Sequence, residues 1–275
     1  MSSRIAATVF AAFLSVTPTA LAAPANDNFA NARGLRLGQT VRGSITDATR
    51  QSGEPRHAHS AATHSVWYRL RAKRTMTVAV NTCTTSFDTV VAVYAGRSLR
   101  GLELVQYNDN GCSGRGGRGS RVTFRARSGV TYRIVVVGFV DKGRFRIGAF
   151  ELTVPPNDYF ADAVTVTLGQ TFEGTTLNAT RELGEPPHRY NRAHTVWFNL
   201  SVTTATLVEA MACSAEGVAV YTGKSVTSLT RVAPTATVGC FGEQFQAEAG
   251  VTYRISVESG GRGIAFRFAT REVTP

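Results

Sequence analysis

RVTFRARSGVTYRIVVVG, Arg121 to Gly138, reads as two strands and a turn. Val122, Phe124 and Ala126 alternate with Arg121, Thr123, Arg125 and Arg127. Successive side chains of a strand point to opposite faces, so one set meets a core and the other faces out. Ser128-Gly129 interrupts the alternation, and Thr131 to Gly138 follows as a β-branched, aromatic run of strand length. Neighbouring stretches are also strand-like: TVAVNTC, TVVAVYAG and GRFRIGAFELTV are short, β-branched or aromatic, and bounded by Gly, Ser or Asn. The nearest thing to a helix is a single turn between Asn28 and Arg33. Many short strands without intervening helices imply a sandwich or barrel, not a parallel sheet.

The same text occurs twice. SGVTYRIVV at Ser128 returns as AGVTYRISV at Ala249, HSVWYRL at His64 as HTVWFNL at His194, and VAVYAGRSL at Val91 as VAVYTGKSV at Val218. PANDNFANARGLRLGQTVRG from Pro24 is answered by PPNDYFADAVTVTLGQTFEG from Pro155. The chain of 275 residues therefore divides into a signal segment, 1–22, and two β-sandwich copies, 23–154 and 155–275. The signal reading rests on Arg4, the apolar run Ile5 to Val16 and the A-x-A site Ala20-Leu21-Ala22. It predicts a secreted or periplasmic protein, and no later run is long enough to span a bilayer. Cys83 aligns with Cys213 and Cys112 with Cys240, so the parsimonious pairing is Cys83–Cys112 and Cys213–Cys240. Free thiols or a metal site are the alternatives. Export favours oxidation, and the spacing is not that of a zinc finger.

Charge is divided unequally. The first copy has 20 Lys and Arg against 8 Asp and Glu, a net +12; the second has 9 against 11, a net −2. Arg121, Arg125 and Arg127, then Arg144 and Arg146, alternate with apolar residues, and Arg69 and Arg71 flank Leu70. If these strands are neighbours, the first copy carries an arginine-rich outer face suited to acidic glycans, lipopolysaccharide or other polyanions. Arg115 and Arg118 belong to the loop NDNGCSGRGGRGSR, whose Gly114, Gly116 and Gly119 fit a G-x-G-x-x-G pattern. A dinucleotide site needs a helix after that loop to hold the pyrophosphate. A strand follows here, so no nucleotide is expected.

In order, PANDNFANA, GEPRHA, HSVWYRL, SFDTVVAVYAG and YNDN resemble the bacterial pre-peptidase C-terminal domain, a family related to the collagen-binding domains of clostridial collagenases. The resemblance covers each copy nearly end to end. It implies tandem antiparallel jelly-roll-like β-sandwiches and an exported, non-catalytic binding role, with a matrix protein among the partners it suggests. It names no ligand and requires no cofactor. Calcium-binding relatives use an Asn-Asp pair near the start of the domain; Asp27 and Asp158 match it, and Asp47 adds a carboxylate in the first copy. The alternative is that these acids cap the short turn after them.

Two further groups stand out. Asp88, Asn108 and Asp109 would be brought together by the Cys83–Cys112 bridge as a ligand loop or a turn-stabilising set. The GEP segments place Glu54 near His57 and Glu185 near His188, the basis for a secreted hydrolase or metal-dependent enzyme as the rival reading. Neither H-E-x-x-H nor G-x-S-x-G occurs. Trp67 and Trp197 are expected to fill the sandwich cores. Oligomeric state is not legible.

Overall fold

A computed structural model describes residues 22–57, 63–85, 87–112, 118–138, 142–187, 194–261 and 263–273. The signal segment up to Leu21, and Arg115, lie outside the described residues. The molecule is nearly all β, in four sheets rich in antiparallel pairs.

Nine strands come from the first half. They are β1 (Arg33–Gly34), β2 (Gln39–Ser44), β3 (Ser65–Arg71), β4 (Met76–Asn81), β5 (Thr89–Ala95), β6 (Glu103–Asn108), β7 (Arg121–Ala126), β8 (Thr131–Gly138) and β9 (Arg144–Leu152). One sheet has the order β1-β3-β8-β5-β6 and the other β2-β9-β4-β7. The Ser128-Gly129 turn thus carries the chain from one sheet to the other. Val66, Tyr68, Leu70, Ile134 and Val136 of the first sheet pack against Val78, Val80, Phe124, Phe145 and Ile147 of the second. The strand order returns in the second half. There β10 (Val164–Val166), β12 (His194–Ser201), β18 (Thr252–Ser259), β14 (Gly217–Thr222) and β15 (Thr230–Arg231) form one sheet. The other contains β11 (Thr171–Thr175), β19 (Ala265–Glu272), β13 (Thr206–Cys213), β17 (Gly242–Ala247) and β16 (Ala236–Val238). The sheets are not wholly antiparallel: β1 joins β3, and β10 joins β12, in parallel.

Both tryptophans are fully buried, but not between the sheets. On β3, Val66 and Tyr68 face the inter-sheet core, so Trp67 between them faces the opposite side. It lies under the N-terminal segment with Phe29, Ala32 and Tyr94. Phe29 meets it edge-on at 5.3 Å, as Phe160 meets Trp197 at 5.4 Å. The single turn expected near Asn28 is a 3-10 turn, Phe29–Asn31.

The disulfides are Cys83–Cys112 and Cys213–Cys240. Of the glycine-rich loop, Gly119 has a clear role. A Cβ there would come within 2.8 Å of Cys83 Cα and 2.9 Å of Cys112 Sγ, so the glycine lets the strand entering β7 lie directly on the bridge.

The two halves touch. Thr77 Oγ1 lies 2.8 Å from the Tyr159 hydroxyl, and Arg125 Nη1 2.6 Å from Asp162 Oδ2, with its guanidinium 4.9 Å above the Tyr159 ring. Elsewhere Gln106 Nε2 donates to the Arg181 carbonyl at 3.0 Å.

Candidate functional site: an arginine groove

The arginines of the first half are spread over two sheets. Arg121 and Arg125 on β7 and Arg144 and Arg146 on β9 project from the outer face of one sheet, with β4 between the two strands. Arg69 and Arg71 lie on β3 in the other sheet. Arg125 is committed to Asp162 and Tyr159 of the second half and is not free surface. Arg121 and Arg127 are exposed, and Arg118 precedes the Gly119 contact.

A different set converges. β1 and β2 are edge strands of their sheets, and an open groove of about 670 Å³ runs where the two edges meet. Arg33 from β1, Arg42 from β2, Arg69 from β3 and Arg144 from β9 line it, with Asn26, Asn31 and Ser44. No acidic side chain is among the described residues that line it. Arg33 Nη1 donates to the Arg42 carbonyl at 2.8 Å, bridging the two edges, and Arg69 Nη1 donates to the Ala32 carbonyl. Gly43, also in the lining, makes room for the buried Tyr68: a Cβ there would collide with the Tyr68 hydroxyl and the Phe145 ring. Burial pushes that hydroxyl up to about 12, against the pull of Asn26 and Arg33, and it makes no hydrogen bond of good geometry.

Arginines also oppose each other across strands. Arg42 faces Arg146 between β2 and β9, and Arg69 faces Arg133 between β3 and β8. Burial, and then the neighbouring Arg69, lower the Arg133 pKa, and its guanidinium rests 4.4 Å over Phe29. Like charges directly opposite each other on a sheet are destabilising. The second half neutralises both positions. Glu173 faces Arg267 and pairs with it at 2.8 Å; Asn199 faces Arg254 and accepts its hydrogen bond. Where the first half has Arg33 and Arg144, the second has Val164 and Ala265. Sequence reasoning found Arg69, Arg144 and Arg146 but missed Arg33, Arg42 and Arg133. The available signal was the comparison of the two copies position by position, which turns Arg42 into Glu173 and Arg69 into Asn199.

The GEP residues form a closed network. Glu54 is buried and accepts from Ser65 Oγ at 2.8 Å, Trp67 Nε1 at 3.0 Å and the Gln51 amide at 3.1 Å. His57 Nε2 lies 3.0 Å from Glu54, and its Nδ1 2.9 Å from the Tyr94 hydroxyl, the pattern of an Nε2-protonated ring. Burial alone raises the Glu54 pKa, but hydrogen bonds from His57, Trp67, Ser65 and Gln51 hold it below the usual carboxylate range. The network joins the GEP loop to β3 and β5 from beneath.

The acids matched to calcium relatives hold the chain to itself. Asp27 accepts from the Thr49 amide and hydroxyl at 2.6 and 2.7 Å, and Asp158 accepts from both groups of Thr180. The turns that follow are held by other side chains: the Phe29 amide donates to Gln51 Oε1 at 3.0 Å and the Phe160 amide to Glu182 Oε2 at 2.6 Å. Asp47 sits at φ 59°, and Asn178 at φ 60° in its place, the left-handed conformation that Asp and Asn tolerate best. Calcium takes six to eight oxygens. No group of three or more His, Cys, Asp or Glu that would hold a metal forms among the described residues. Asn108 Nδ2 donates to the Arg121 carbonyl, Asn108 Oδ1 accepts from the Asn110 amide, and Asp109 accepts from the Asn110 side chain. These are turn bonds beside Cys112; Asp88 stands on the opposite strand entry, before β5.

Asp158 carries a pH consequence. Burial pushes its carboxyl up to about 7; the Thr180 bonds oppose this and Glu185 and Glu182 reinforce it. Glu182, in the place of the first half's Gln51, is raised to about 6, first by burial. A carboxyl raised by folding favours the native state fully below its unfolded value near 4. That contribution is lost as pH rises through about 7. The loss from Asp158 is on the order of 4 kcal/mol. Asp158→Asn keeps an acceptor for the Thr180 amide and a donor for its hydroxyl, as the neutral acid does. Melting curves from pH 4 to 8 should show the variant matching the wild type at pH 4 and exceeding it at pH 8. Parallel curves would show that Asp158 ionises without cost.

Among solved structures, the chain is similar to the pre-peptidase C-terminal domain of a collagenase from Bacillus anthracis, with 12% identity and a TM-score of 0.30 over 43% of this chain and 93% of that one. It is also similar to the N-terminal CBM22 tandem domain of Xyn10C from Paenibacillus barcinonensis, with 9% identity and a TM-score of 0.24 over 86% of this chain and 84% of that one. No protein-family model matches the chain, and no curated protein matches it.

Proposed function

We propose that this is an exported, non-catalytic binding protein whose first half holds an anionic polymer in the β1/β2 edge groove. An acidic glycan or a lipopolysaccharide surface has the required chemistry. The observation that carries the reading is the convergence of Arg33, Arg42, Arg69 and Arg144 on one groove, with no carboxylate among the described residues that line it, at positions where the second half has Val164, Glu173, Asn199 and Ala265. Arginine forks suit such groups, because the planar guanidinium pairs with oxyanions through two parallel hydrogen bonds. Against the hydrolase reading, Glu54 and His57 are buried and engaged with each other, Trp67 and Tyr94.

The test is heparin chromatography of the purified protein. The wild type should be retained and elute at a salt concentration that screens exposed charges. Replacing Arg33, Arg69 and Arg144 together with Ser should lower affinity at least tenfold and leave the melting temperature within a few degrees. Elution of the triple variant at the wild-type salt concentration would refute the groove as the site.

A further inference from the structure

We propose that a sulfate or phosphate ester of the ligand sits at the rim of the groove, between Arg42 of its lining and Arg146 across the β2–β9 ladder, with Arg144 beside them. This names the group recognised in the anion-binding reading and rests on it.

The two halves supply the comparison. Arg42 of β2 and Glu173 of β11 occupy the same place, two residues before the strand ends Ser44 and Thr175. The partner across the ladder is an arginine in both, Arg146 and Arg267. In the second half the chain itself provides the anion, since Glu173 Oε1 lies 2.8 Å from Arg267 Nε. In the first half a second guanidinium stands there instead, and neither Arg42, Arg144 nor Arg146 meets a carboxylate among the described residues. A bound oxyanion between Arg42 and Arg146 restores the charge alternation that Glu173 provides internally.

The number of donors favours a tetrahedral group. Arg42, Arg144 and Arg146 are exposed on the outer face of one sheet, with Arg144 and Arg146 two residues apart on β9. Three guanidinium forks offer more N–H groups than the two oxygens of one carboxylate accept comfortably, whereas an ester has three terminal oxygens. Arg69 and Arg133 form a second like-charged pair in the adjoining sheet, and Arg69 lines the same groove. A polymer bearing repeated esters satisfies both pairs, one on either side of the meeting edges.

The experiment uses the full protein with two variants. Arg42→Glu recreates the Glu173–Arg267 arrangement; Arg42→Gln removes the repulsion without a new ion pair. In low-salt buffer Arg42→Glu should raise the melting temperature by about 1–4 °C. Inorganic sulfate or phosphate should stabilise the wild type more than acetate at equal ionic strength, and this difference should vanish in both variants. Columns of heparin, phosphocellulose and polygalacturonate separate the sources: the first two should retain the wild type at least tenfold more strongly than the third. Both variants should lose at least tenfold on the ester-bearing columns. Retention of sulfate stabilisation and heparin affinity by both variants would overturn the seat at Arg42. Equal retention on polygalacturonate would overturn the ester class while leaving an anion-binding groove. Retention on none of the three would remove the anion-binding reading and this inference together.

Discussion

Glu54→Ala should destabilise the first half by about 3–5 kcal/mol, the cost of leaving several buried donors without their shared acceptor. Ser65 Oγ, Trp67 Nε1, His57 Nε2 and the Gln51 amide all direct donors at this one carboxylate. Truncation leaves each buried and without its acceptor, and each unsatisfied group carries its own desolvation cost. The damage spreads because Trp67 and Tyr94 roof the outer side of the β3-β8-β5 sheet. Urea denaturation, followed by tryptophan fluorescence, measures the change. A loss below about 1 kcal/mol would mean that the network is already open to water. With the expected loss, Glu54→Ala would report unfolding as readily as lost chemistry in any hydrolase assay.

Replacing Cys83 and Cys112 together with Ser should cost about 3–4 kcal/mol, as expected for a loop of 29 positions. The second bridge closes 27 positions and should be worth nearly the same by loop entropy. The first has an added consequence, because Gly119 packs on it and feeds β7 into the sheet. Thermal unfolding of each Ser pair, without reductant, tests this. Identical melting temperatures for wild type and the Cys83/Cys112 variant would show that the surrounding hydrogen bonds of Thr82, Thr89 and Ser120 hold that corner unaided.

Much of this architecture is legible in the residues. Period-two alternation in RVTFRAR and GRFRIGAF marks strands, and the repeated cysteines mark their own pairing. Alternation assigns side chains to two faces but does not say which face another segment covers. Trp67 therefore reads as inter-sheet core although it lies under the N-terminal segment. The arginine groove is hidden for a related reason. Arg33, Arg42, Arg69 and Arg144 are scattered along the chain and meet only through the parallel β1–β3 pairing and the β2–β9 ladder. Conspicuous local runs such as Arg121, Arg125 and Arg127 draw the eye instead, and of these Arg125 serves the junction between halves.

That junction bears on avidity. Modules joined by a loose tether explore many separations, and a linker's length tunes the effective concentration of the second binding event. Here the connection is short, and β4, β7 and β6 each hold the second half through Tyr159, Asp162 or Arg181. A ligand that spans both halves meets them at the spacing that these contacts set. Its gain from bivalence is then decided by whether its own repeat fits that spacing, and lengthening the ligand beyond it adds reach without adding strength.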